Sequence, residues 1–246
     1  MRRFAAILLS AATIAAAPAH AQSASITITT EEWIEEAPEP GAERLVAVQG
    51  VPAAQGEAYG PFRVLDERRA ALVDATDAAT PRAFQAMLRD HPGIAAIDMV
   101  ECPGTDDDTA NLALGRMIRA AGLATHVPAQ GSVRSGAVEL FLAGRTRTID
   151  DGAEFAVHAW RDSDGRGPQD FAADSPVNRA YLDYYREMGV ARPQAFYSMT
   201  NAVAYAGARW LTAQDMRGWL GETRGDGAAQ PARPTIAYLD LAPAFP

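Results

Sequence analysis

Residues 93–102, GIAAIDMVEC, are apolar throughout except for Asp98 and Glu101. The run is far too short to cross a membrane, which takes about 20 apolar residues. It therefore predicts a strand covered on both faces, the kind that sits inside a sheet flanked by helices. The neighbouring segments supply those helices and further strands. RAALVDA (69–75) predicts a strand, and Thr80-Pro81 reads as the N-cap and first position of a helix to Arg89. After PGTDDDTAN, a helix runs to about Ala121, with Leu114, Met117, Ile118 and Ala121 on one face and Gly122 placed to end it. LATHVPA (123–129) predicts a third strand and the stretch after Ser135 another helix. RTRTI and AEFAVHAW predict two short strands around the turn DDG. From Pro176 the chain turns helical: NRAYLDYYREM stops at Gly189, and a further helix covers 193–200. Thr212 with Asp215 forms a capping box for a last helix to Leu220. This alternation predicts an α/β fold with right-handed crossovers.

The N-terminus sets an expected compartment. Arg2 and Arg3, an apolar core from Phe4 to Ala17 and Ala19-His20-Ala21 follow in the order of a cleaved signal peptide. The expected mature chain starts at Gln22 and is periplasmic or secreted. Residues 22–58 read as an extension, in which ITITTEEWIEE offers a short strand or docking segment and APEPGAE a linker. Residues 59–221 read as the folded domain. Residues 222–246 read as a tail in which RGDGAAQPARP is a linker and TIAYLDL a final strand. Loss of Arg2 and Arg3 takes the net charge from −9 to −11. That argues against nucleic acid and anionic membrane as partners. No later segment is long enough to span a membrane. Cys102 is the only cysteine, which excludes an internal disulfide, and the chain has no lysine, which excludes a Ser–Lys dyad.

The stretch GSVRSGAVELFLAGRTR (131–147) places Ser135 where it could cap a helix or be presented by the helix N-terminus as a nucleophile. A nucleophilic serine needs a base. His91 falls in a helix-ending loop and His126 in mid-strand, whereas His158 ends the strand AEFAVH, where α/β sites open. An oxyanion hole needs converging N–H groups. Gly136, at the start of the helix, and the turn Pro103-Gly104-Thr105 are the two sources. Asp106, Asp107 and Asp108 read as a helix-capping cluster in preference to a metal site, and Cys102 as a packed side chain. Trp160 reads equally as a pocket wall or a sheet cover, and Arg134 as a surface residue. No cofactor and no metal is expected.

VECPGTDDDTANLALGRMIRAAGLATHV, then GSVRSGAVELFLAG, then RTIDDGAEFAVHAW together resemble the Clp protease proteolytic subunit and related exported proteins of the ClpP/crotonase fold, over roughly residues 60–220. The resemblance implies a repeated β-β-α superhelix with a C-terminal helical segment. It implies Ser135 as nucleophile, His158 as base, and Gly136 with the 103–105 turn (Gly104, Thr105) as oxyanion donors. Two positions depart from the family pattern. Thr105 replaces a glycine, which predicts strain if the backbone there needs a positive φ. Ala208 stands where the family has its acid, leaving Asn201 as an orienting substitute, or Asp162, Asp170, Asp174 or Asp183 in a rearranged site. Two functions follow. One is an exported serine hydrolase, a peptidase, acting on a peptide or small acyl substrate. The other is a catalytically degenerate member that binds peptides or partners. Homo-oligomer formation is left open.

Overall fold

The computed structural model describes residues 56–221. The expected leader, the extension as far as residue 55, the tail, and the strands read within ITITTEEWIEE and TIAYLDL lie outside the described residues. A hairpin of β1 (Glu57–Tyr59) and β2 (Phe62–Val64) leads into β3 (Arg69–Leu72) and helix α1 (Thr80–Asp90). Thr80 is the first residue of α1, and its cap comes from Asp77, whose carboxylate accepts from the Ala79 and Thr80 N–H groups and the Thr80 hydroxyl.

The apolar run 93–102 is two strands. β4 (Ala96–Met99) and β5 (Glu101–Cys102) belong to different sheets, and Val100 is the crossing point. Its N–H donates to the Leu72 carbonyl at the end of β3, and its own carbonyl accepts from Ser132 N–H in the other sheet. The chain repeats this step. Helix α2 (Asp108–Ala120) follows β5; β6 (Ala124–Val127) then passes to β7 (Ser132–Arg134) and helix α3 (Ala137–Ala143), and β8 (Arg147–Ile149) passes to β9 (Glu154–Val157). The first strand of each pair joins a sheet ordered β1-β2-β3-β4-β6-β8. The second joins β9-β7-β5, whose edge is completed by β10 (Arg209–Thr212), antiparallel to β9. Helices α4 (Pro176–Glu187), α5 (Pro193–Thr200) and α6 (Ala213–Leu220) form the C-terminal segment. The fold is thus an α/β superhelix of β-β-α units, with parallel pairing within each central sheet.

Helix α3 is the centre of the core, and every one of its residues is buried. Its apolar side chains contribute about 1.5–3 kcal/mol each when large and fully buried, and Phe141 packs on Phe155 of β9 at 5.2 Å between ring centres. α2 lies against α3, and its Gly115 is a close-approach position: a Cβ there would overlap the Tyr184 hydroxyl. That hydroxyl donates to the Glu139 carbonyl at 2.6 Å, fastening α4 to α3. Cys102 is fully buried with Sγ toward the Leu72 carbonyl, and burial keeps its thiol protonated far above the usual range, so it is packing and not a nucleophile. His126 is held between Asp98 and Asp150 at 3.0 and 3.2 Å, a satisfied structural histidine. Arg134, expected at the surface, is buried instead. It pairs with Glu101 at 2.6 Å and donates to the Ser132 hydroxyl.

Candidate active site

β7 and β9 are parallel neighbours, with Arg134 opposite Ala156. The ladder continues one step further, because Ser135 N–H donates to the Ala156 carbonyl at 2.9 Å. Ser135 and His158 therefore leave adjacent strands at the same carboxyl edge, within a residue of each other in register. Both line one cleft of about 650 Å³, together with Thr105, Gly136 and Asn201.

Ser135 is not a helix cap. Helix α3 has Gly136 at its N-cap position, with no side-chain capping bond. Ser135 itself adopts φ 50°, one of two non-glycine residues with positive φ among those described. That conformation costs of order 1 kcal/mol or more for a residue with a Cβ and persists where the surroundings impose it. Here the β7–β9 ladder fixes one side, and the Ser135 carbonyl accepts from Val138 N–H on the other. Among the described residues the Ser135 hydroxyl makes no hydrogen bond, to His158 or to any other group.

The turn beside it also departs from the sequence expectation. Gly104, not Thr105, carries the positive φ, at 137°. Thr105 is therefore unstrained. Gly104 is needed for space as well, since a Cβ would lie 3.0 Å from Ser135 Cβ and 3.4 Å from its Oγ. Thr76 N–H donates to the Gly104 carbonyl, and the Thr76 carbonyl accepts from Asp106 N–H. Because backbone groups alternate along an extended segment, the intervening Thr105 N–H faces away from Thr76. Neither it nor the Gly136 N–H has an acceptor among the described residues. Gly136 is pinned through its carbonyl, which accepts from Asn111 Nδ2 at 2.6 Å, while Asn111 Oδ1 accepts from the Thr76 hydroxyl.

His158 Nδ1 lies 2.9 Å from the Ala159 carbonyl. A carbonyl only accepts, so Nδ1 carries the proton and the neutral ring presents Nε2 as an acceptor. Tyr205 meets the ring edge-on at 5.0 Å, and Arg161 covers the Tyr205 face at 3.9 Å. Asn201 Nδ2 donates to the Tyr197 carbonyl, and its Oδ1 is buried without a partner; no hydrogen bond joins it to His158 among the described residues. The aspartates within sequence reach are engaged elsewhere. Asp162 binds Arg166, Asp170 caps Gly167 N–H, and Asp183 pairs with Arg186, while Asp174 has no bond to His158. Asp107 caps α2 by accepting from Ala110 N–H. Trp160 is a cleft wall, donating to the Tyr197 hydroxyl and stacked on Tyr181.

Glu139 was not singled out by the sequence, and Asp108 was read only as part of a helix-capping cluster, yet both line the cleft. Glu139 lies one helical turn after Ser135 and is 5 % exposed. Burial pushes its carboxyl up to about 7, opposed by the 2.6 Å hydrogen bond from the Tyr185 hydroxyl and reinforced by the charge of Asp108. Asp108 is exposed as a residue, but its carboxyl is partly desolvated where it lines the cleft. That desolvation raises its carboxyl, while a hydrogen bond from Tyr181 and the nearness of His158 act the other way and Asp107 adds to the rise. An acidic residue inside an otherwise apolar run, AVELFLA, was the available signal for Glu139.

No family model and no curated protein sequence matches the chain. Among solved structures, it is similar to the ClpP protease catalytic domain from Plasmodium falciparum, at 12% identity and a TM-score of 0.44, covering 68% of this chain and 88% of that one. It is also similar to a mutant of the 1510-N membrane-bound stomatin-specific protease in complex with a substrate peptide, at 13% identity and a TM-score of 0.41, covering 63% of this chain and 74% of that one. The fold class rests on the strand order and the repeated β-β-α units.

Proposed function

We propose that this chain is an exported serine hydrolase, a peptidase, in which Ser135 attacks an acyl carbon and His158 moves the proton. The observation that carries the reading is the joint placement of a strained Ser135 and of His158 on adjacent strand ends, beside two N–H groups without acceptors among the described residues. Ser135 Oγ would pass its proton to His158 Nε2, the ring atom left unprotonated by the Ala159 contact. The Gly136 and Thr105 N–H groups would hold the developing oxyanion, assisted by the α3 N-terminus. His158 would then return the proton to the leaving group. The Ala159 carbonyl performs one task of a triad acid, fixing the tautomer, but supplies no full charge to stabilise the imidazolium. The test is a rapid-mixing assay with p-nitrophenyl acetate. An acyl-enzyme mechanism gives a burst of about one p-nitrophenol per chain before the steady rate, and a linear trace from time zero with no acylated Ser135 would count against it.

The second reading, a peptide- or partner-binding scaffold, is favoured by the lack of a Ser135–His158 hydrogen bond among the described residues. The position of Ala208 separates the two. β10 pairs with β9 so that Arg209 faces Val157, and one further step of that register puts Ala208 opposite His158. Ala208→Asp is expected to raise kcat by about tenfold or more by supplying the missing charge. In a scaffold the same variant leaves turnover at the background rate.

Export rests on the order of the N-terminal charged, apolar and A-x-A segments. N-terminal sequencing of native protein is expected to start at Gln22, and recovery of Met1 would contradict it. Among the described residues no helix is long and apolar enough to cross a membrane.

A further inference from the structure

We propose that the Ser135 cleft selects a substrate side chain bearing a guanidinium or ammonium group, whose charge is met by Glu139 and Asp108. The inference rests on the hydrolase reading for the word substrate, but the binding site stands on its own geometry. The cleft is acidic well beyond the machinery of a serine–histidine pair. Asp106, Asp107, Asp108, Glu139 and Asp162 line it, against a single arginine, Arg161. Two of these carboxylates are already committed, Asp107 to the α2 N-terminus and Asp162 to Arg166. Asp108 and Glu139 accept only from the neutral hydroxyls of Tyr181 and Tyr185, so with Asp106 they have no cationic partner among the described residues.

The second observation is independent of charge. Among the described residues, Asn201 Oδ1 and Thr200 Oγ1 are buried without a partner, and both residues line the same cleft. Thr200 is only 9 % exposed. A buried polar atom left unpaired costs about 1–3 kcal/mol, so these two oxygens mark a position where a polar partner is wanted. Asn201 Oδ1 and the ionised carboxylates only accept hydrogen bonds. A ligand rich in donors and positive in charge satisfies them, and a guanidinium, with five N–H donors, does so most fully. The walls suit the stem of such a side chain: Tyr181 stacks parallel on Trp160 at 6.2 Å, and Tyr185 lies beside Glu139. Aromatic faces also attract cations directly. Glu139 is placed one turn of α3 below Ser135, so a side chain entering beside the scissile bond would direct its charged end toward it.

The pocket is tested first without turnover, using the Ser135→Ala protein. Fluorescence of p-aminobenzamidine is expected to rise on binding, with benzamidine competing and neutral benzamide competing at least tenfold more weakly. Glu139→Gln keeps an oxygen to accept from Tyr185 and nearly the same volume, so it folds. It is expected to weaken p-aminobenzamidine about ten- to hundredfold. In the active protein the ratio of kcat/KM for arginyl over leucyl peptide amides is expected to exceed 10 and to collapse in Glu139→Gln. Equal competition by benzamidine and benzamide, or an unchanged ratio in Glu139→Gln, overturns the proposal even if Ser135 is reactive. Benzamidine binding with an unreactive Ser135 supports the cation pocket and overturns the hydrolase reading.

Discussion

Ser135→Ala is expected to lower peptide turnover by about 10⁴-fold or more while leaving stability within roughly 0.5 kcal/mol of the parent. The first part follows from the role proposed for Oγ; the chain has no lysine, and its one thiol is buried and protonated. The second part follows from the contacts. The hydroxyl makes no hydrogen bond among the described residues, and alanine keeps the Cβ that the left-handed backbone already tolerates at φ 50°. His158→Ala should match the loss in turnover without deepening it when combined, because residues acting as one unit are not additive. A parallel fall in activity and melting temperature in Ser135→Ala would mean that the serine is structural.

Glu139→Gln is expected to stabilise the fold at pH 8–9 by up to a few kcal/mol, with little difference near pH 4.5. Burial raises the Glu139 carboxyl from 4.5 to about 7, against the hydrogen bond from Tyr185, with Asp108 on α2 adding to the rise. The other groups facing it, Tyr181, Tyr184 and Tyr185 on α4, are themselves pushed upward by burial and stay neutral across this range. A raised acid binds its proton more tightly in the folded chain than in the unfolded one. Its stabilising contribution is complete below about 4.5 and is lost as pH rises through about 7. Glutamine carries no proton to lose, so its melting curve lacks that decline. Melting temperatures of the two proteins from pH 4.5 to 9 check this, and parallel curves would contradict the burial of an ionisable Glu139. The same charge that strains the empty pocket is the one a bound cation neutralises, which links this stability measurement to substrate choice.

Periodicity and turn chemistry made the helices legible, from the Thr212–Asp215 capping box to the end of α2 near Gly122. They also located Ser135 before a buried helix and His158 at a strand end. What they could not show was a change of sheet in mid-strand. Residues 93–102 are apolar on both sides of Val100, so nothing in the pattern reveals that β4 and β5 part company there. β7 and β10 were missed for a related reason. Three or four residues hold too little periodicity to be read, and β7 is fixed by its partners β5 and β9 more than by its own sequence. Arg134 was misplaced because its burial depends on Glu101 and Ser132, which only the sheet brings beside it. Strain at Thr105 was expected only if its backbone needed a positive φ, and that conformation falls on Gly104, which adopts it without a Cβ penalty. The acidic character of the cleft was invisible for the same physical reason: Asp108 and Glu139 are 31 residues apart and meet only when α2 packs on α3.

Covalent labelling tests most directly whether Ser135 is a nucleophile activated by His158. A fluorophosphonate reacts with a serine whose proton is removed by a neighbouring base and whose adduct oxygen is held by an oxyanion hole. Cleavage after Arg134 and Arg145 releases residues 135–145 as one peptide for mass measurement. The account predicts one phosphonate per chain, on that peptide at Ser135, with labelling slowed at least a hundredfold in His158→Ala. An unmodified 135–145 peptide after exhaustive treatment, or labelling of Ser135 at the same rate with and without His158, would contradict it.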